Sequence, residues 1–206
     1  MTDAATAERA SHKHALRPED LLSLEEYDRQ RADFRQRVMA HKANRKVHLG
    51  EHATLYFEDR LTMQYQIQEM LRIERIFEQE GIREELAAYN PLIPEGRNLK
   101  ATFMIEYEDV EERKQALAKL IGIEEKVWIR VAGFDKIYPV ANEDLERSTE
   151  EKTSSVHFLR FEFTPEMIEA AKAGADLAVG VEHENYQATV DPLPKNVRDA
   201  LVADFD

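Results

Sequence analysis

The chain contains no cysteine, and this absence removes several classes of chemistry. Disulfides, thiolate zinc sites, cysteine-ligated iron–sulfur clusters and thiol nucleophiles all need cysteine, so none can be built from these 206 residues. Glycine and proline are also scarce, at seven each, which argues against long low-complexity segments. We therefore expect most of the chain to fold, as one domain or two small ones.

Long hydrophobic runs and known catalytic motifs are missing as well. No apolar stretch approaches the roughly 18 to 20 residues of a membrane span, and the N-terminus lacks the apolar core of a signal peptide. We therefore expect a cytoplasmic protein that does not engage membranes. The glycine-rich nucleotide loops, H-E-x-x-H, G-x-S-x-G, the EF-hand loop and the E-x-x-H di-iron pair are all absent, so the cofactor is left open.

Basic residues are scarce in the C-terminal half. Residues 1–97 hold 15 basic and 18 acidic side chains, and residues 98–206 hold 13 basic and 23 acidic ones, so the formal charge of −13 divides into −3 and −10. Such a field repels nucleic-acid phosphates and favours cations or basic partner surfaces. We expect no nucleic-acid partner.

Helical patterns dominate the N-terminal part of the chain. Residues 1–17 are polar and alanine-rich, which predicts a mobile tail, and the His12 and His14 pair in it is a minor metal candidate. Residues 18–90 contain two helical patterns separated by short alternating runs around Gly50. This arrangement predicts a helical region with a β-hairpin.

The second helical pattern, from Asp59 to about Gln79, is apolar on almost every face, which predicts a largely buried helix. Its apolar sector holds Met63, Ile67, Met70, Ile73, Ile76 and Phe77, and its polar sector holds Gln64, Gln68, Arg72, Arg75 and Gln79. Glu69 falls inside the apolar sector, with Arg72 one turn on and Tyr65 one turn back. Because a buried carboxylate must be paired, protonated or ligated, we favour a structural ion pair and keep a ligand site as the alternative.

A linker at residues 91–98 separates this region from a regular series of elements. Strand patterns lie at 99–107, 126–133, 156–163 and 176–183, and helical patterns lie at 109–122 and 164–172. The order β-α-β-β-α-β predicts an α+β fold with a ferredoxin-like domain at residues 99–190, in which two helices cover one face of a four-stranded antiparallel sheet. Residues 136–141 could add an edge strand, and residues 191–206 read as a C-terminal extension.

Two histidines fall on inward faces of the predicted strands. His157 shares a strand face with Leu159, Phe161 and Phe163. His183 shares a strand face with Leu177, Val179 and Val181. In the ferredoxin-like order they lie far apart, so we expect His157 beside Tyr107 and the loop that contains Glu151, and His183 beside the connection that begins at Asn90. For each histidine a hydrogen-bonded core imidazole is favoured, and catalysis or metal ligation is the alternative.

Three long segments carry a resemblance to a known family. They are LYFEDRLTMQYQIQEMLRIERIFEQEGI at 55–82, YNPLIPEGRNLKAT at 89–102 and EDLERSTEEKTSSVHFLRFEF at 143–163. They resemble the bacterial family of unknown function DUF3501, over about residues 18–190, whereas the tail and the residues after Asp191 look peculiar to this chain. The positions that match the family segments are Glu69, Arg72, Asn90, Glu151 and His157, and the resemblance attaches no established role to them.

The resemblance implies a redox or peroxide-stress role, because family members are often encoded beside rubrerythrin-like and iron–sulfur oxidoreductase genes. The favoured function is a cytoplasmic accessory protein that binds such a redox partner and borrows its cofactor. The alternative is a small-ligand or metal-binding enzyme with a pocket between the helical and α+β regions. In that case Glu69 and His157 supply acid–base groups and Arg72 anchors an anion. The candidate ligand-binding residues are Glu69, Arg72, Tyr65, Asn90, Tyr107, Glu151, His157 and His183.

Overall fold

A computed structural model describes residues 15–206, which divide into two compact units. The helical unit comprises residues 15–43 and 58–96, and the sheet unit comprises residues 44–57 and 97–206. The expected tail lies almost wholly outside the described residues, together with its His12 and His14. No helix within the described range is both long enough and apolar enough to cross a membrane.

Three α-helices form most of the helical unit: α1 (Leu24–Ala43), α2 (Arg60–Glu74) and α3 (Gln79–Tyr89). A reciprocal cap starts α2, because the Asp59 carboxylate accepts the Thr62 N–H and Thr62 Oγ1 accepts the Asp59 N–H. The helix ends at Glu74, and the residue that caps it, Arg75, has a left-handed backbone with φ 54°. The expectation that the helix continues to about Gln79 is therefore wrong, because the left-handed conformation of Arg75 ends the helix earlier.

The buried face of α2 also differs from the expected one. Ile73 and Phe77 from the apolar sector are 63% and 73% exposed, whereas Gln68 from the polar sector is fully buried. Burial of Gln68 is possible because its amide clamps the backbone of Leu22, accepting the N–H at 2.7 Å and donating to the carbonyl at 3.2 Å. Two large apolar side chains are left at the surface.

The start of the described chain is anchored in the helical core. Leu16, which the sequence assigned to the tail, is 3% exposed and packs with Met63, Ile67 and other apolar residues. Asn90 holds the backbone of Leu16, since its Oδ1 accepts the N–H and its Nδ2 donates to the carbonyl, both at 2.9 Å. Asn90 is thereby a structural residue.

Eight strands and three helices form the sheet unit. The strands are β1 (Lys46–Leu49), β2 (Ala53–Glu58), β3 (Asn98–Ile105), β4 (Val127–Val131), β5 (Val140–Ala141), β6 (Val156–Glu162), β7 (Leu177–His183) and β8 (Tyr186–Val190). The helices are α4 (Val110–Lys119), α5 (Pro165–Lys172) and α6 (Lys195–Val202). One sheet has the order β1-β2-β3-β6-β5, the other has the order β4-β7-β8, and both contribute to one hydrophobic core.

The α+β class is confirmed, but the ferredoxin-like arrangement of the four expected strands is wrong. β3 pairs antiparallel with β6 as expected, whereas β4 pairs with β7 in the second sheet. The reason is that other strands occupy the edges: β2 takes the free edge of β3, and β5 takes the free edge of β6. Residues 136–141 do add a strand, since Val140 pairs with Arg160, and Ile137 also bridges Ile129.

The hairpin around Gly50 belongs to the sheet unit and not with the helices. β1 and β2 pair antiparallel, and β2 neighbours β3, so backbone hydrogen bonds tie residues 44–57 to the sheet. Gly50 has φ 72°, and a Cβ there would lie 2.6 Å from the hydroxyl of Tyr186. The expected division at residues 18–90 is corrected accordingly, while the expected linker at 91–98 contains the observed boundary after Gly96.

Residues 191–206 are part of the sheet unit's core and not an added extension. Their apolar side chains Leu193, Val197, Leu201 and Phe205 are buried. Arg45, 2% exposed, donates to the carbonyls of Phe57 and Ala200 at 2.9 and 3.2 Å and forms an ion pair with Asp204. The last helix is thus fixed to the start of β1 by a buried charge pair.

Candidate functional site

His157 lies inside the sheet unit on the inward face of β6. The predicted alternation is confirmed, because His157, Leu159 and Phe161 are buried and the residues between them are partly exposed. The imidazole is fully buried and lies opposite Phe103 in the β3–β6 register.

Both ring nitrogens of His157 have partners. Asn142 Oδ1 accepts the Phe158 N–H at 3.1 Å, so Asn142 Nδ2 faces His157 Nδ1 and donates to it at 2.8 Å. The proton therefore sits on Nε2, which donates to the Ser154 carbonyl at 2.9 Å and lies 2.9 Å from Thr153 Oγ1. This arrangement fits a neutral imidazole.

Electrostatics agree with a neutral His157. The pKa of His157 is lowered, mainly by burial. The charge of Glu124 and the hydrogen bond to the Ser154 backbone raise this pKa in part, and the charge of Arg147 lowers it further. Glu124 Oε2 lies 3.9 Å from His157 Nε2 and has no hydrogen-bond partner among the described residues.

A chain of hydroxyls joins the imidazole to this carboxylate. Thr153 Oγ1 lies 2.9 Å from Ser148 Oγ, which donates to Glu124 Oε1 at 3.0 Å. The expected setting of His157 beside the loop before β6 is therefore confirmed. Glu151 takes no part, since it is exposed. No periodic sequence pattern could have indicated that Glu124 lies near His157, because Glu124 is in a 3-10 turn before β4.

Tyr107 does not neighbour His157. The β3–β6 register ends before Tyr107, which instead stacks on His52 with ring centroids 3.9 Å apart and an interplanar angle of 11°. The expected contact assumed that the first strand continues to residue 107, whereas β3 ends at Ile105.

His183 also takes partners other than the expected ones. Its Nε2 donates to the Ile121 carbonyl at 2.9 Å, and its Nδ1 accepts the Asn185 N–H at 3.1 Å. The expected neighbourhood at Asn90 is wrong because β7 pairs with β4 and not with β3. With both nitrogens bonded to backbone, His183 is a structural histidine.

Glu69 forms an ion-pair cluster within the helical unit. Its Oε1 accepts from Tyr27 Oη and Arg31 Nε, both at 2.7 Å, and its Oε2 accepts from Arg31 Nη2 at 3.1 Å. Arg72 Nη2 lies farther away, at 3.5 Å. The hydrogen bond from Arg31 is the main cause that lowers the pKa of Glu69, although burial opposes it. The ion-pair interpretation is confirmed, but the main partners lie on α1 and could not be read from α2.

Tyr65 is separate from the hydrogen bonds of Glu69. Its ring stacks on Phe34, with centroids 6.2 Å apart and planes at 15°, and the Lys42 ammonium lies 5.8 Å from its centroid. Tyr65 therefore serves packing between α1 and α2.

Removing the carboxylate charge of Glu69 is expected to weaken the helical unit. Glu69→Gln loses the charge-assisted hydrogen bonds from Arg31 and offers the buried Tyr27 hydroxyl a weaker acceptor. We therefore expect the free energy of unfolding to fall by about 1–3 kcal/mol. Urea unfolding measures it, with Glu74→Gln, an exposed position on the same helix, as the control. Equal losses in the two variants would contradict a role for the cluster.

No group of three or more histidine, aspartate or glutamate side chains that could hold a metal occurs within residues 15–206. Two surface depressions have room for a small ligand. A groove of about 590 Å³ in the helical unit is lined mainly by apolar residues, and a cavity of about 680 Å³ in the sheet unit is lined mainly by polar ones. Both volumes fall in the range of known small-ligand sites.

Comparison with known proteins identifies the family. Residues 15–205 match the family described as "Protein of unknown function (DUF3501)". The chain belongs to the DUF3501 family. A crystal structure from Burkholderia pseudomallei K96243, described as a novel protein of unknown function, is 49% identical with a TM-score of 0.86, covering 93% of this chain and 100% of that chain. No curated protein matches the chain.

The DUF3501 match corrects the expected extent of the resemblance. It reaches residue 205, so the C-terminal segment that looked peculiar to this chain is part of the family's sequence. This agrees with the burial of Leu201 and Phe205 in the sheet unit's core. Neither description names an activity, a partner or a redox role.

Proposed function

We propose that this DUF3501 protein is a binding protein that docks a basic segment of a partner protein on its helical unit. The observation that carries the proposal is the exposure of Phe77, which is 73% exposed and lines the apolar groove. A large exposed apolar side chain in the wall of an apolar groove is the kind of surface that marks interaction sites in soluble proteins.

The groove has the chemistry of a pocket for an apolar anchor. Its wall is formed mainly by Leu21, Leu22, Leu24, Leu71, Ile76 and Phe77. Phe77 thus belongs both to the wall and to the exposed surface. An aliphatic or aromatic side chain of a partner could enter the groove and cover Phe77, which would remove apolar surface of both proteins from water.

The surrounding charge indicates which kind of partner fits. Residues 74–85 contain five glutamates and two arginines. The pKa of Glu85 is raised, first by burial and then by the like charges of Glu74 and Glu84. A partner segment that carries lysine or arginine beside its apolar anchor would relieve this repulsion.

The expected redox context supplies the candidate partners. A chain without cysteine cannot hold an iron–sulfur cluster by thiolates, so an accessory role beside a cofactor-bearing protein fits its composition. The proposed partner is the rubrerythrin-like protein or iron–sulfur oxidoreductase that the family resemblance implies, in a peroxide-stress system.

Titration of the full-length chain against each purified candidate from the native host tests this proposal. Phe77→Asp is expected to weaken binding about tenfold or more, and binding by the unmodified chain should weaken as salt is added. Leu145→Asp is the matched control, because Leu145 is 55% exposed in the sheet unit and outside the groove.

Three outcomes would overturn the proposal. The first is that neither candidate protein binds. The second is that Phe77→Asp and Leu145→Asp both bind the partner as tightly as the unmodified chain does. The third is that sedimentation shows dimers of this chain that are lost in Phe77→Asp, because the groove would then hold a second copy of the chain.

The enzyme alternative has weaker support. It needs His157 as an acid–base group, yet His157 is fully buried with both nitrogens bonded inside the sheet unit. It also needs Glu69 free to exchange protons, yet Arg31 holds both carboxylate oxygens of Glu69 inside the helical unit.

A further inference from the structure

The cavity of about 680 Å³ in the sheet unit lies where the β1–β2 turn meets the end of β3 and the start of α4. Two aromatic residues, His52 and Tyr107, stand in its wall. It is distinct from the docking groove of the helical unit, and the evidence for it is independent of the proposed function.

His52 presents an unoccupied acceptor nitrogen. Its Nδ1 lies 3.0 Å from the Glu106 carbonyl, which can only accept, so the proton of the neutral ring sits on Nδ1 and Nε2 carries a lone pair. Nε2 makes no hydrogen bond to the described residues, and the Glu51 carboxylate lies 3.9 Å from it. A carboxylate cannot donate to it, so Nε2 is free to accept a hydrogen bond from a ligand.

The backbone around His52 is fixed. Tyr186 Oη accepts the His52 N–H at 3.1 Å and donates to the Leu49 carbonyl. The turn at Gly50 allows this approach, because any Cβ there would collide with the Tyr186 hydroxyl. The imidazole is therefore held in place before any ligand arrives, which reduces the entropy lost on binding.

Tyr107 stacks on His52. The two rings lie face to face, with centroids 3.9 Å apart and planes at 11°, so the Tyr107 ring supports the imidazole from one side. Its hydroxyl makes no hydrogen bond to the described part of the chain, and its pKa is raised by burial, by Tyr186 and by Glu112, so it stays a neutral phenol that can both donate and accept.

The charges around this wall select a cation. Four glutamates and one arginine line the cavity: Glu51, Glu106, Glu108, Glu112 and Arg113. Arg113 is already engaged with the Tyr107 carbonyl at 3.2 Å. The formal lining charge of −3 favours a positive ligand, and the acceptor nitrogen of the neutral His52 ring suits an organic cation that carries N–H donors.

We propose that this cavity binds a small organic cation with a guanidinium or ammonium group, which donates to His52 Nε2 and lies among the glutamates that line the cavity.

Agmatine, which has both groups, is the probe. Calorimetric titration of the full-length chain at about 0.15 M salt limits nonspecific attraction to the acidic surface. His52→Asn keeps an amide where Nδ1 donates to Glu106 but removes Nε2, so we expect agmatine to bind about tenfold more weakly. His48→Asn is the matched control, since His48 is exposed on β1 and does not line the cavity.

Two further measurements do not depend on the folding of one variant. Agmatine should shift the 15N resonance of His52 Nε2 in the unmodified chain. Glu112→Gln should weaken binding, whereas Glu111→Gln, which removes the same charge outside the cavity lining, should not.

The proposal is overturned if agmatine does not bind or if His52→Asn and His48→Asn bind it equally. It is also overturned if Zn²⁺ shifts the His52 resonance while agmatine does not, because the cavity would then hold a metal ion in place of an organic cation.

Discussion

Arg45→Met is expected to destabilise the sheet unit by about 3–5 kcal/mol. The guanidinium of Arg45 is almost fully buried, and its loss would remove this ion pair from the Asp204 carboxylate, which is 11% exposed. The carbonyls of Phe57 and Ala200 would also lose a donor. Chemical denaturation monitored at the single tryptophan, Trp128 on β4, measures the loss in the unit that holds both residues.

Two companion variants separate charge from packing. Lys46→Met changes the adjacent exposed cation and should shift stability by less than about 0.5 kcal/mol. Combining Arg45→Met with Asp204→Leu removes both charges and should recover part of the loss, since a largely buried carboxylate that has lost this guanidinium costs more than an apolar side chain in its place. If the double variant is no more stable than Arg45→Met, then the lost contacts of the arginine, and not the charge of Asp204, set the effect.

His157→Leu is expected to cost about 2–5 kcal/mol, because it leaves the Ser154 carbonyl and the Asn142 amide without their partner in a fully buried site. His48→Leu makes the same change at an exposed strand position and serves as the control. A loss no larger than that of the control would show that the network around His157 contributes no net stability.

The effect of His157→Leu should also depend on pH. The folded pKa of His157 lies below its ordinary value of 6.5, so below about pH 6.5 the unfolded chain binds a proton that the folded chain does not. The stability contributed by the neutral imidazole is therefore present above that pH and declines as the pH falls toward the folded pKa, by at most about 1.4 kcal/mol per pH unit. The difference between the unmodified chain and His157→Leu should shrink on acidification, and denaturation at about pH 7.5, 6.5 and 5.5 tests this.

Local patterns predicted several features correctly because they depend on neighbours in sequence. Alternation along residues 156–163 placed His157 on a buried face, and the position of Glu69 in an apolar sector predicted an ion pair. The hydroxyl-rich loop before β6 was also correctly placed beside His157, since it precedes the strand directly.

Contacts between distant segments could not be predicted in the same way. Alternation shows which face of a strand is buried but not which strand bonds to its edges, so the pairing of β4 with β7 was missed. Glu124 and Arg31 lie 33 and 38 positions from the residues that they approach, and no periodicity connects them. The exposure of Phe77 was missed because the helix was expected to continue past Arg75.

The ion pair between Arg45 and Asp204 also has a consequence for how the chain folds during synthesis. Arg45 precedes β1, and its partner Asp204 follows α6, with 158 residues between them. A ribosome releases the hairpin long before the helix that anchors it, and residues 58–96 of the other unit are made in between. The sheet unit therefore cannot complete its core until α6 has been synthesised, whereas α1, α2 and α3 are complete once residue 89 has been made. Such long-range closure is slow, so the nascent hairpin should depend on chaperones or on transient contacts until the last helix emerges.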